Sequence, residues 1–188
     1  MYKRMNVAAK AARTADELAD AERIVLPGVG AFDHALELLD ASGMRPLLEE
    51  KVVGDKVPVV GVCVGMQILA DTSEEGQGRG LGWIPGAVRH FRSMQVPNSL
   101  PLPHMGWNDV EPLPGDAGLF RGLERDARFY FLHSFYYECA DPADRVAVAT
   151  YGAPFACAVR RGNVWGVQFH PEKSHHFGAM LLKNFAEL

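Results

Sequence analysis

With 188 residues, 48% of them hydrophobic and 22% charged, the chain matches one globular domain large enough to bury a full core; disorder, collagen-like repeats and low complexity are excluded. Lys and Arg total 19 against 23 Asp and Glu, and the resulting net charge of −4 does not attract phosphate backbones, so nucleic acid is not an expected partner. No apolar run approaches the roughly 20 residues of a membrane span, and the start at Met1-Tyr2-Lys3-Arg4 lacks a signal-peptide core, so we expect a soluble cytoplasmic protein with no membrane association.

In chain order, Ile24-Val25-Leu26 reads as a short buried strand ending at Pro27-Gly28. Ala31 to Leu39 follows as a helix, with Phe32, Ala35, Leu36 and Leu39 at helical spacing. Val57 to Val62 is a second, continuously apolar strand, and Met66 to Ala70 continues as a helix behind the glycines of Gly61 to Gly65. Strand then helix is the repeating unit of a parallel α/β sheet. From Ala87 the pattern shifts to short alternating runs: Ala87 to Phe91, Phe129 to Leu132, Val146 to Tyr151, Phe155 to Val159 and Val164 to Phe169. Arg161-Gly162-Asn163 reads as a turn between the last two. This half is strand-rich and partly antiparallel. Phe177 to Leu188 closes the chain as a docked helix with Phe177, Leu181, Leu182 and Phe185 on one face. No linker or repeat divides the chain, so residues 1–188 read as one domain.

Chemistry concentrates at two points. Cys63 lies in Gly61-Val62-Cys63-Val64-Gly65, between a buried strand and a helix, the layout of a nucleophile elbow with cysteine in place of serine. A helix N-terminus lowers a thiol's pKa, and its free N–H groups can receive an oxyanion. A buried core cysteine is the competing reading. Gln168-Phe169-His170-Pro171-Glu172 supplies an imidazole at a strand end and a carboxylate two residues later that can hold its tautomer. A lone histidine is more often structural; paired with an elbow cysteine it is a candidate base. The cysteines Cys63, Cys139 and Cys157 are odd in number and form no CxxC pair, which argues against a disulfide framework and a thiolate zinc site. The histidines lack metal-ligand spacing, and Gly28-Val29-Gly30 is neither a P-loop nor a dinucleotide fingerprint. No metal or cofactor is expected.

The elbow cysteine together with Phe169-His170-Pro171-Glu172 resembles the Cys-His-Glu triad of class I glutamine amidotransferases. Leu26-Pro27-Gly28-Val29-Gly30-Ala31-Phe32, Pro103-His104-Met105-Gly106-Trp107-Asn108 and Tyr130-Phe131-Leu132-His133-Ser134 look like the glutaminase subunits of imidazole glycerol phosphate synthases. The likeness runs in order from Arg23 to Leu188. It implies a flavodoxin-like mixed sheet flanked by helices, and hydrolysis of glutamine to glutamate and ammonia. Cys63 would be nucleophile, His170 general base and acid, and Glu172 its orienting group, with the backbone N–H groups of Gly30 and Val64 as oxyanion donors. Gln67, Glu75, His133, Ser134 and Phe135 would bind glutamine; the family often has Tyr where Phe135 stands, so a hydroxyl contact is lost.

The same resemblance implies a partner, a (β/α)8 barrel cyclase that receives the ammonia for histidine biosynthesis, with Met105, Trp107, Asn108 and Lys173 at the interface. Trp107 can equally be a core aromatic. Lys173-Ser174-His175-His176-Phe177-Gly178 looks more like the paralogues that serve surface-polysaccharide sugar amidotransferases, and that acceptor is the alternative. A cysteine peptidase-like hydrolase and an inactive scaffold are the remaining readings. Relative to the family pattern, the leading strand and its glycine-rich Asp-Tyr-Gly turn are missing ahead of Arg23.

Overall fold

A computed structural model of the chain describes residues 1–94, 96, 97 and 99–188. Strand β1 (Ile24–Gly28) pairs in parallel with β2 (Val59–Cys63), and β2 pairs in parallel with β11 (Val164–Val167). All five residues of β2 are buried, which explains why it reads as an unbroken apolar run: a central parallel strand is covered on both faces. Beyond β11 the sheet turns antiparallel. Next come β10 (Ala153–Arg161), β8 (Phe135–Cys139) and β4 (Gly86–His90), with the two-residue β3 (Thr72–Ser73) parallel to β4 at the far edge. A branch adds β9 (Arg145–Tyr151) and β6 (Glu111–Pro112), making nine strands among the described residues. The β10–β11 turn falls at Gly162 and Asn163, as expected. A separate two-stranded ribbon joins β5 (His104–Asp109) to β7 (Arg128–His133).

Helices flank this sheet: α1 (Ala15–Leu18), α2 (Phe32–Ala41), α3 (Arg45–Glu49), α4 (Val64–Gln67) and α5 (His175–Ala186). On α5, Leu181, Leu182 and Phe185 are buried as their spacing predicts, while Phe177 is half-buried against Phe129. The elbow helix differs from expectation. It spans Val64–Gln67, a single turn, rather than continuing to Ala70. The carbonyls of Ile68, Leu69 and Ala70 accept from Leu81, Ile84 and Gly82, so the neighbouring loop takes the acceptors a longer helix would have used. The β5–β7 ribbon was not expected as a unit, because β5 contains Gly106 and lacks a run of β-branched residues.

Candidate active site

In an open parallel sheet, ligands gather beyond the carboxyl ends of the strands, and here three such ends meet. Gly28 at the end of β1 lies opposite Cys63 at the end of β2, and Val167 at the end of β11 lies opposite Val62. This register carries the segment after β11 to the elbow. Cys63 has φ 56° and ψ −114°, an unusual region for a residue with a Cβ and one that costs of order 1–3 kcal/mol where it persists. Gly65 makes the bend possible: a Cβ there would sit 1.9 Å from the carbonyl oxygen of Leu26, so the elbow can press against β1 only without a side chain.

His170 follows β11 and is 5% exposed. Its Nδ1 lies 2.8 Å from Oε1 of Glu172, whose side chain is 51% exposed. A carboxylate accepts only, so this contact places a proton on Nδ1 and leaves Nε2 of the neutral ring as the base. The backbone beneath is fastened by buried Ser174, whose hydroxyl donates to the His170 carbonyl at 2.6 Å and accepts from the Tyr130 N–H at 2.9 Å.

Cys63, His170, Gly30, Val64, Gln67, Glu75, His133, Ser134 and Phe135 all line one cavity of about 280 Å³. The candidate nucleophile, its candidate base, both segments expected to supply oxyanion donors and every residue expected to bind substrate are therefore brought together. Glu172 stands behind His170 rather than in the cavity wall. Gly30, at φ 94°, holds a backbone conformation suited to glycine. Glu75, expected from the resemblance to bind glutamine, also accepts from the Phe32 N–H at 2.7 Å, bracing the start of α2.

The electrostatics of the sulfur differ from expectation. A helix N-terminus should draw a thiol's pKa down, yet burial pushes the Cys63 thiol up to about 11; a hydrogen bond from the Val64 N–H and the charge of Lys173 oppose this, while Glu172 and Glu75 add to it. With a helix of one turn the dipole is small and desolvation wins. His133 is tied at both nitrogens: Nδ1 lies 2.6 Å from the Phe135 carbonyl and Nε2 lies 2.9 Å from Nδ1 of buried His104. A carbonyl accepts, so His133 carries its proton on Nδ1, its Nε2 accepts a hydrogen bond from the His104 Nδ1–H, and His104 Nε2 is left to accept from the Asn108 amide at 3.3 Å. Burial lowers both imidazoles, His104 to about 4 and His133 to about 3, and keeps them neutral.

The interface candidates divide between two faces of the ribbon. Met105 and Trp107 project outward with Leu132, Met105 lying across the ribbon from Leu132 and Trp107 across from Tyr130. The Trp107 ring stacks on His175 at 5.3 Å, and Lys173 lies over the Tyr130 ring at 5.6 Å. Asn108 faces the other way, its amide donating to the Thr150 carbonyl at 2.9 Å. One residue near the site had no assigned role: Gln168, whose carboxamide lies between Gln67 and Cys63. Gln168 carried a signal, being an amide within the otherwise apolar run from Val164 to Phe169. Among the described residues, no group of three or more His, Cys, Asp or Glu side chains is arranged to hold a metal ion.

The chain matches the family described as glutamine amidotransferase class-I over residues 2–188. It is 60% identical to the imidazole glycerol phosphate synthase subunit HisH of Bdellovibrio bacteriovorus, over all of this chain and 92% of that protein. It is 50% identical to the HisH subunit of Leptospira interrogans with the same coverage. A solved glutamine amidotransferase structure superposes with a TM-score of 0.72 at 21% identity, covering 100% of this chain and 90% of that one, a likeness of fold. The match across nearly the whole length and the close relatives agree with the elbow-and-histidine geometry: the chain belongs to the class I glutamine amidotransferase family.

Proposed function

We propose that this protein is the glutaminase subunit of an imidazole glycerol phosphate synthase, hydrolysing glutamine and passing ammonia to a (β/α)8 barrel cyclase in histidine biosynthesis. The observation that carries this reading is the single cavity shared by Cys63 and the Glu172-oriented imidazole of His170. The identities to HisH subunits support the pathway. In this mechanism the Cys63 proton passes to His170 Nε2, and the thiolate attacks the side-chain amide carbon of glutamine. The tetrahedral oxyanion points to the backbone N–H groups of Val64 and Gly30. His170 returns the proton to departing ammonia, and water then cleaves the γ-glutamyl thioester with His170 again as base. Gln67, Glu75, His133, Ser134 and Phe135 form the walls that hold the substrate. The thiol's high resting pKa suits a site in which proton transfer is coupled to substrate binding.

The partner docks on the outer face of the β5–β7 ribbon, where Met105 and Trp107 are exposed beside Lys173. A free catalytic thiol fits a reducing compartment, and we place the protein in the cytoplasm. The test is ammonia release from glutamine in the complex with the cyclase. Cys63→Ala should abolish release while leaving the complex intact, and the full chain should restore growth to a strain lacking its histidine-pathway glutaminase. Release that survives Cys63→Ala would overturn the mechanism. Failure to restore growth by an active enzyme would shift the acceptor to the sugar amidotransferases.

A further inference from the structure

Gln168 is completely buried, between Val167 and Phe169, which are also completely buried. A carboxamide in such a place costs roughly 1–3 kcal/mol unless its polar atoms are paired. Both of its side-chain partners belong to the candidate active site. Its Oε1 accepts from Nε2 of Gln67 at 3.0 Å, and its Nε2 lies 3.8 Å from the sulfur of Cys63, a residue 105 positions away in sequence. Because the oxygen is occupied by the Gln67 amide, the NH₂ end is the one turned toward the sulfur.

We propose that Gln168 is a further catalytic residue, whose carboxamide N–H holds the Cys63 sulfur once it becomes a thiolate, and that Gln67 positions it by fixing the direction of the amide. The proposal rests on Cys63 being the nucleophile, as argued above. When the proton leaves Sγ for His170, negative charge remains on a sulfur that is almost wholly removed from water. Two neutral donors then face it, the Val64 N–H and the Gln168 amide. The charged groups acting on it are Lys173, which favours the thiolate, and Glu172 and Glu75, which oppose it; His170 shares the cavity. The amide stabilises the charge without bringing a cation that would compete with His170 for its role. A donor placed in a dry site is also already oriented when the charge forms. Gln67 thereby acquires a second task besides lining the cavity, since loss of its N–H would free the Gln168 amide to turn over.

The test is the pH dependence of Cys63 alkylation by iodoacetamide in the full-length protein, read by mass spectrometry of the Cys63 peptide so that Cys139 and Cys157 do not contribute. Gln168→Leu should raise the apparent pKa of Cys63 reactivity by about one unit, leaving roughly 10-fold less thiolate near neutral pH. Gln168→Met, nearly the same length, should raise it by a similar amount because its side chain has no N–H donor. Gln67→Leu should give a smaller shift in the same direction. If Gln168→Leu does not fold, Gln168→Met carries the test. An unchanged reactivity profile in whichever folded Gln168 variant is measured overturns the proposal. The assay requires neither glutamine nor a partner, so a shifted profile in a protein that releases no ammonia would uphold the donor and discard the glutaminase reading instead.

Discussion

Glu172 meets His170 at 2.8 Å but is half exposed, so water screens its charge and its contribution is chiefly geometric: it selects the tautomer and aims the ring. Glutamine at this position keeps an acceptor for Nδ1–H, whereas alanine removes it. We therefore expect Glu172→Gln to lower kcat by about 10-fold and Glu172→Ala by roughly 100-fold, with little change in KM, measured as ammonia release in the complex. Equal losses for the two variants would show that charge, not aim, is the main contribution. The elbow and the His-Pro-Glu segment were readable in the sequence because each is a short pattern whose chemistry is local. Gln168 was readable only as an oddity, since its partners come from β2 and the elbow, and no local spacing shows that juxtaposition.

The β5–β7 ribbon holds a pair of neutral buried histidines, and the consequence for stability follows from their depressed pKa values, about 4 for His104 and about 3 for His133. In the unfolded chain both take up protons near 6.5, so below that pH the unfolded state binds more protons than the folded one. Their contribution is intact above 6.5 and is lost as pH falls toward the folded values. Each histidine can steepen the decline by up to ~1.4 kcal/mol per pH unit. His104→Asn, which keeps a donor for His133 Nε2 but cannot protonate, should show a shallower loss of urea-unfolding stability between neutral and mildly acidic pH than the parent chain. Parallel slopes would mean the pair already ionises in the folded protein. Neither the pair nor β5 was evident beforehand: a strand interrupted by Gly106 has weak intrinsic preference, and its pairing with β7 decides its conformation.

Across the molecule, the parallel strands β1, β2 and β11 do what no single segment can: they bring three chain-distant ends to one rim. Their apolar continuity made the parallel half easy to anticipate, while the order of the antiparallel strands is set by long-range pairing that periodicity does not encode. On the outer side of the ribbon, Trp107 is already stacked on His175, so in the docking proposed above it would lose little side-chain freedom. Trp107→Ala should weaken binding of the cyclase by roughly 30-fold, about 2 kcal/mol, as measured by calorimetric titration, without lowering the protein's melting temperature. Unaltered affinity would move the interface elsewhere. Asn108, anchored to Thr150, belongs instead to the inner face of the ribbon.

The burial of the elbow sulfur reaches beyond turnover. Peroxide and other oxidants attack the exposed thiolate far faster than the sheltered, protonated thiol, and Cys63 rests in the second form, 6% exposed and with its pKa pushed up to about 11. A sulfur held in that form enters the oxidation ladder slowly. Slow peroxide oxidation of Cys63 relative to an exposed thiolate is the expected consequence of this burial, checked by mass spectrometry of the Cys63 peptide.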